Sequence, residues 1–358
     1  MKQKIAIICD YKLLPNRVGG MDYFFWEFNK KCKSNNIDID WYFPNYSDHG
    51  YYSDLTIFAP PEGETLIEYV KKKIEKSNNQ YTHIVTHFVE LCTSFFKSIK
   101  KHTDANILAV DHNPRPLRGY SFQKRIKKKI KGILYSKYID TFVGVSRYTV
   151  NEIVNDFGSH LKSKTIVLYN GVLIDDIQIN ANRLYEQPRF IVACHLRKSK
   201  GIQDLIEAIK NIDSNEINGI TIDIYGYGPY RDHLETKVNN YQLNGVFQFK
   251  GSVANLNEIY KNYDYMILPS HMECFSLAIL ESLAANVPVI SSNVGGNEEA
   301  ISHGNNGYIF QTQDIHQLSQ IIKDVFHGNK KITINTRTEI EQKYSLDVMV
   351  NQYFELLV

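Results

Sequence analysis

Apolar runs of four to six residues recur along the chain, each bounded by polar positions and separated from the next by longer stretches of amphipathic helical period. This alternation predicts parallel strands joined by helices, an α/β chain. The first series of strand runs falls at residues 5–9, 39–43, 83–87, 107–112, 142–146 and 165–169. The second falls at 190–194, 221–225, 247–249, 265–268, 287–291 and 308–310. Between them, residues 174–188 are polar and lose the strand period. The pattern therefore predicts two doubly wound, Rossmann-like domains, residues 1–175 and 186–344, facing each other across a cleft. Open α/β sheets take ligands at the carboxyl ends of their strands, so such a cleft suits a two-substrate transfer. A last amphipathic pattern covers residues 346–357.

A chain of 358 residues, 43% hydrophobic, can supply two cores. None of its apolar runs approaches the roughly 20 residues of a membrane span. The sequence passes from Met1 straight into a strand pattern without the apolar region and cleavage site of a secretory leader, which places the chain in the cytoplasm. Cys9, Cys32, Cys92, Cys194 and Cys274 show no CxxC or Cys/His ligand spacing, so reduced thiols and no structural zinc are expected. The net charge of +2 identifies no partner, but its distribution is uneven. Lys124, Arg125, Lys127, Lys128, Lys129 and Lys131 cluster on a predicted helix whose Ile126, Ile130, Ile133 and Leu134 share one face. Two readings stand: contact with an anionic membrane surface, or a stripe packed on the first domain with its lysines in water. Nucleic acid is not the expected partner, because no recognition motif accompanies the run.

The chemistry concentrates between Glu273 and Glu281. Glu273 sits in a loop after the strand ending at Leu268, and Glu281 lies inside the following helix, roughly 10 Å further on at helical rise. Between them, Cys274, Phe275, Ser276 and Leu277 bring the unpaired N–H groups of a helix start, which attract anions. One segment then offers sites for a sugar hydroxyl, a diphosphate and a ribose diol. With Pro269 and Ser270 before it, and Pro288, Gly295, Gly296 and Glu299 after it, the segment resembles the retaining glycosyltransferases of the GT-B fold, family four.

The resemblance extends across nearly the whole chain and implies roles position by position. Glu281 would bind the ribose and Glu273 the donor sugar. Lys200 before Gly201 matches a cation on the donor diphosphate. Its partner cation is read as Arg197, with His195 as the second choice. Gly226 and Gly228 match a turn where backbone approaches the nucleotide, and Lys250 to Val253 a turn near the base. Gly19 and Gly20 match a loop close to the donor phosphates. His112 matches a histidine presented to the transferred sugar, the alternative being a structural histidine, while His87 is expected to pack behind. Arg115, in a stiff Pro-rich loop, and Asp22 are the candidates for binding the acceptor. The last helix would return to the first domain.

Asp38, Asp40 and Asp223 fall inside strand patterns, so no Asp-x-Asp metal signature fits. Metal independence and no cofactor beyond the nucleotide-sugar substrate are expected. Cys274 and Ser276 stand where the family has glycine, as does Asn286 before Val287, which bears on which sugar fits.

The expected activity is transfer of a sugar, with retention, from a nucleoside diphosphate sugar to a hydroxyl of a glycan or lipid-linked glycan. The expected setting is cell-surface polysaccharide biosynthesis, such as lipopolysaccharide or capsule, with the enzyme peripheral on the inner face of the membrane. The rivals are a GT-B sugar-nucleotide epimerase and a non-catalytic nucleotide-sugar binder. Phosphorolysis lacks a recognisable pyridoxal phosphate lysine segment.

Overall fold

The computed structural model describes residues 3–15, 18–76, 80–216 and 218–358; residues 1 and 2, part of the leader reading, lie outside them. Two compact units result: Met1–Asn170 with Leu346–Val358, and Gly171–Ser345. The break lies just ahead of the polar stretch 174–188, which packs within the second unit.

In the first unit the order is β1 (Lys4–Cys9), α1 (Gly20–Ser34), β2 (Asp38–Tyr42), β3 (Thr56–Phe58), α2 (Leu66–Glu75), β4 (His83–His87), α3 (Ser94–Lys100), β5 (Asn106–Asp111), α4 (Phe122–Tyr135), β6 (Thr141–Gly144), α5 (Arg147–Phe157) and β7 (Thr165–Val167). The strands form one sheet in the order β3-β2-β1-β4-β5-β6-β7, with every pairing parallel. Helices cover both faces, so β1 and β5 are buried at all but their first residue.

The second unit runs β8 (Phe190–Ala193), α6 (Ile202–Lys210), β9 (Ile222–Tyr225), α7 (Arg231–Asn240), β10 (Phe247–Gly251), α8 (Leu256–Ile259), β11 (Tyr265–Leu268), α9 (Leu277–Ala284), β12 (Val289–Ser292), α10 (Asn297–Ala300), β13 (Gly307–Phe310), α11 (Ile315–Phe326) and α12 (Arg337–Lys343). Its parallel sheet has the order β10-β9-β8-β11-β12-β13. Helix α6 shows the sequence logic: Ile202, Leu205, Ile206 and Ile209 recur at helical spacing, and all four are buried in the core. The final helix, α13 (Leu346–Glu355), belongs to the first unit and lies on α1, with the Tyr353 ring 4.9 Å from Phe24.

Each expected strand forms within two residues of its predicted bounds. Edge strand β3, which bonds to β2 alone, was not foreseen. Helix α4 goes against one of its two readings. Its face toward the unit is Lys128 and Gly132, while Ile126, Ile130, Ile133 and Leu134 are exposed, so the stripe does not pack on the first unit.

Asp264 anchors the stretch that opens the second unit. Fully buried, it accepts from the Arg189 backbone N–H at 2.8 Å, the Arg189 Nε at 2.9 Å and the Leu184 N–H at 2.8 Å. Asp264→Ala leaves these donors without their acceptor and is expected to destabilise the second unit by about 3 kcal/mol. Urea unfolding checks this, and an unchanged midpoint would refute it.

Candidate functional site

In both sheets the chain order reverses beside the first strand, between β8 and β11 in the second unit and between β1 and β4 in the first. Loops leaving neighbouring strands at such a switch point diverge and leave room for a ligand at the strand ends. The loop after β8 carries His195, Arg197 and Lys200, and the loop after β11 carries Ser270 and Glu273.

These two loops meet through one ion pair. Lys200 Nζ lies 2.6 Å from Glu273 Oε1, and Ser270 Oγ donates to the same oxygen at 2.7 Å. The Lys200 and Glu273 side chains retain 22% and 11% of their exposure, so the pair is shielded but reachable. Burial works to lower the Lys200 pKa, yet Glu273, through charge and hydrogen bond, outweighs it and leaves the pKa raised. Lys200 is therefore a fixed cation. Arg197 and His195 lie exposed on the same loop. The loops also share a backbone bond, His271 N–H to the Ser199 carbonyl at 2.7 Å, and the His271 ring bonds Asp204 at 2.6 Å.

The loop after β11 delivers the start of α9. Cys274, Phe275 and Ser276 are buried, and Ser276 is the N-cap without a side-chain cap bond. Leu277 is the first helical residue. Glu281, one turn on, receives a bond from the buried Tyr260 hydroxyl at 3.3 Å. Loss of water pushes its carboxyl up to about 7, with Tyr260 working against the shift. Two residues past the end of the helix, Asn286 has a left-handed φ of 60°. That conformation explains why glycine suits this position in the resembled family, and Asn is among the side chains that tolerate it. Here the Asn286 side chain adds bonds to the Asn180 carbonyl and the Thr336 N–H.

Gly226 and Gly228 follow β9 and press on the β8 loop. A Cβ at Gly226 would come within 1.9 Å of the Cys194 carbonyl oxygen, and one at Gly228 within 2.3 Å of that of Leu196. Close packing of two loops thus accounts for both glycines without a ligand. Cys194 lies between them and the ion pair, its thiol pushed up to about 12 by burial, and so is not a ready nucleophile.

In the first unit, Gly19 caps α1 and Gly20 begins it. A Cβ on Gly19 would meet nothing within 4 Å. His87 ends β4 and His112 follows β5; His87 Nδ1 and His112 Nε2 are 3.0 Å apart. Phe88, held at φ 60°, stacks on His112 with ring centroids 4.2 Å apart. Burial, augmented by His112, holds His87 well below its ordinary range. Burial pushes His112 down to about 4 against the pull of Asp111. Both rings are neutral at neutral pH. His87 Nε2 is buried without a hydrogen-bond partner. A bare lone pair there costs less than an orphaned N–H. The arrangement thus favours the His87 proton on Nδ1, donating to His112, whose own proton then sits on Nδ1.

Two expected acceptor contacts are corrected. Arg115 is buried, with Nη2 2.7 Å from Asp111 and Nε 2.8 Å from Asp156, so its guanidinium serves the interior of the unit. Asp22 is fully buried and accepts from the hydroxyls of Tyr52 at 2.5 Å and Tyr11 at 3.0 Å, and from the Gly19 N–H at 2.9 Å. It fixes the start of α1. The sequence reading gave no role to Tyr260 or Phe88, which carry no motif signal. Ser270 stands three residues ahead of Glu273, and its bond to that carboxylate carries no motif signal of its own. Among the described residues no cluster of three His, Cys, Asp or Glu could hold a metal ion.

Residues 175–343, nearly all of the second unit, match the family described as glycosyl transferases group 1. The chain is 26% identical over 235 residues to a glycosyltransferase of Methanocaldococcus jannaschii described as uncharacterized, covering 63% of this chain and 62% of that protein. It is 30% identical over 164 residues to N-acetyl-alpha-D-glucosaminyl L-malate synthase of Bacillus anthracis, covering 44% of this chain and 42% of that one. The matches thus span less than two thirds of either relative. The solved structure of Anabaena Alr3699/HepE in complex with UDP superimposes with TM-score 0.77 over 99% of both chains at 16% identity, a likeness of fold.

The raised Glu281 pKa has a signed consequence. Protonation is easier folded than unfolded, so its contribution to stability is full below about pH 4.5 and is lost as pH rises through about 7. Glu281→Gln is expected to stabilise the second unit by about 3 kcal/mol at pH 8 and by little at pH 4. Thermal unfolding of both proteins across pH checks this, and an equal offset at both ends would contradict it.

Proposed function

We infer, from a second unit that matches the glycosyl transferases group 1 family over residues 175–343, that the chain is a glycosyltransferase taking its sugar from a nucleoside diphosphate sugar. The observation that carries the reading is the Lys200–Glu273 pair at the switch point, beside the start of α9. The similar Anabaena structure holds UDP, and the similar Bacillus anthracis protein is named N-acetyl-alpha-D-glucosaminyl L-malate synthase, which supports a nucleotide-sugar donor.

In this reading the diphosphate lies against the N–H groups of α9 from Phe275 to Leu277, with Lys200 shared between Glu273 and phosphate oxygens. Arg197 is the second cation, with His195 in reserve. A sugar hydroxyl donates to Glu273 and the ribose diol to Glu281. As the bond from the anomeric carbon to the diphosphate oxygen breaks, charge grows on the leaving group, where preplaced cations and helix N–H groups act most strongly. The acceptor oxygen bonds the same carbon from the same face, its proton passing to the departing phosphate, and configuration is retained as in family four. His112 is assigned to the transferred sugar, and Gly19 and Gly20 to the space beside the phosphates.

With its charge stabilisation supplied by side chains and backbone, the reaction is proposed to need no metal. The proposed acceptor is a hydroxyl of a glycan or lipid-linked glycan in surface polysaccharide synthesis, met by a cytoplasmic enzyme held at the inner face of the membrane.

A panel of uridine, guanosine and adenosine diphosphate sugars, assayed with chelator for nucleoside diphosphate release, tests this. One donor is expected to be turned over, and Lys200→Ala to slow that turnover about 100-fold. Unchanged turnover in Lys200→Ala would remove the leaving-group role, and an epimer without nucleotide release would replace transfer by epimerisation.

A further inference from the structure

Helix α4 meets its own unit through a glycine, a paired lysine and, at its end, Tyr135, which packs against the unit's core. A Cβ at Gly132 would come within 1.9 Å of the Phe157 carbonyl oxygen, so the helix lies close against the end of α5. Lys128 Nζ sits 3.0 Å from Asp156. At 3.6 residues per turn, Phe122, Ile126, Ile130, Ile133 and Leu134 fall within an arc of about 120°, roughly opposite that attachment. Their exposures are 75%, 44%, 49%, 71% and 52%. An apolar row of this length facing water is the mark of a docking surface.

Cations border the row on both sides. Arg125 and Lys129 lie along one edge, and Lys127 and Lys131 along the other. Lys131 is tied to Glu90 at 2.6 Å. Arg125, Lys127 and Lys129 have no ion pair among the described residues. A pocket of ≈ 640 Å³ opens on the first edge, where Arg118, Arg125 and Lys129 line it. Two acids also line it: Asp156 is matched by Arg115 and Lys128, and Glu152 lies 4.0 Å from the same Arg115 Nε.

This arrangement selects among occupants. A second copy docking stripe to stripe would bring two sets of unpaired cations together. An acidic protein would answer the charges but needs an apolar ridge of matching length. An anionic bilayer answers both features, since the apolar arc enters the acyl boundary while the cations on either side reach lipid phosphates.

We propose that α4 lies in the plane of an anionic membrane surface, with Phe122, Ile126, Ile130 and Ile133 inserted among the lipids and Arg125, Lys127 and Lys129 on their phosphates. The proposal deepens the lipid-linked acceptor reading by naming the surface that meets the membrane, and its test needs no sugar transfer.

The full chain is sedimented with vesicles of phosphatidylcholine alone and of phosphatidylcholine with phosphatidylglycerol. Binding is expected with the anionic vesicles. The partition constant is expected to fall about tenfold or more in Arg125→Glu/Lys127→Glu/Lys129→Glu. A comparable fall is expected in Ile130→Glu/Ile133→Glu. A tryptophan at position 122 (Phe122→Trp) should shift its emission to the blue on binding. Unchanged circular dichroism would show that the variants fold, and unchanged nucleotide release from a soluble donor would show that the donor site is intact. No sedimentation of the parent chain with anionic vesicles overturns the proposal, as does full retention by the isoleucine variant. A dimer in solution that Ile130→Glu/Ile133→Glu dissolves, without vesicle binding, would assign the stripe to a second copy. Vesicle binding without release from any donor would leave this proposal standing and remove the activity reading instead.

Discussion

The contact between Lys200 and Glu273 organises the second unit's site. It joins loops that leave β8 and β11, adjacent strands whose crossovers run in opposite directions. Backbone bonding between the same loops and the pressing of Gly226 and Gly228 on the β8 loop keep the partners in register. A shielded ion pair is a weak source of stability, because desolvation cancels much of its attraction. Its value here is positional. The cation is held mostly shielded but reachable next to the start of α9, and Ser270 holds the carboxylate from the other side. Such a pair carries little net charge at rest, yet can share its cation with an arriving anion.

The first unit repeats the principle with neutral groups. His87 and His112 leave adjacent strands and bond to one another, while Phe88 covers the outer ring. The packing behind them comes partly from α13, whose Tyr353 ring lies 5.8 Å from His87. The last residues of the chain thereby support the wall on which His112 stands. Fixed protonation follows from burial: neither ring gains a proton near neutral pH, and the orphaned Nε2 of His87 selects the tautomer of both.

Much of this was legible in the sequence, for a physical reason. Strands covered on both faces must be apolar along their length, so runs such as residues 5–9 announce themselves. Edge strand β3 has three residues and one neighbour, too little to leave a period. Lys200 and Glu273 were each legible from local motifs, but their contact joins positions far apart in the chain. Arg115 misled because a proline-rich loop carrying a cation looks like a presented side chain, and Asp156, which neutralises it, lies in another helix. Asp22 misled likewise, since only the fold brings Tyr52 to it. For α4 the hydrophobic pattern fixed the helix but not which face packs. Gly132 decided that, and a single glycine has no apolar signature.

The most direct test of the account is a crystal structure of the protein with UDP. The account predicts diphosphate oxygens within hydrogen-bond distance of Lys200 Nζ and of the N–H groups at the start of α9, with the ribose hydroxyls on Glu281. A nucleotide bound elsewhere, with the Lys200–Glu273 pair undisturbed and Glu281 still bonded to Tyr260 alone, would contradict it.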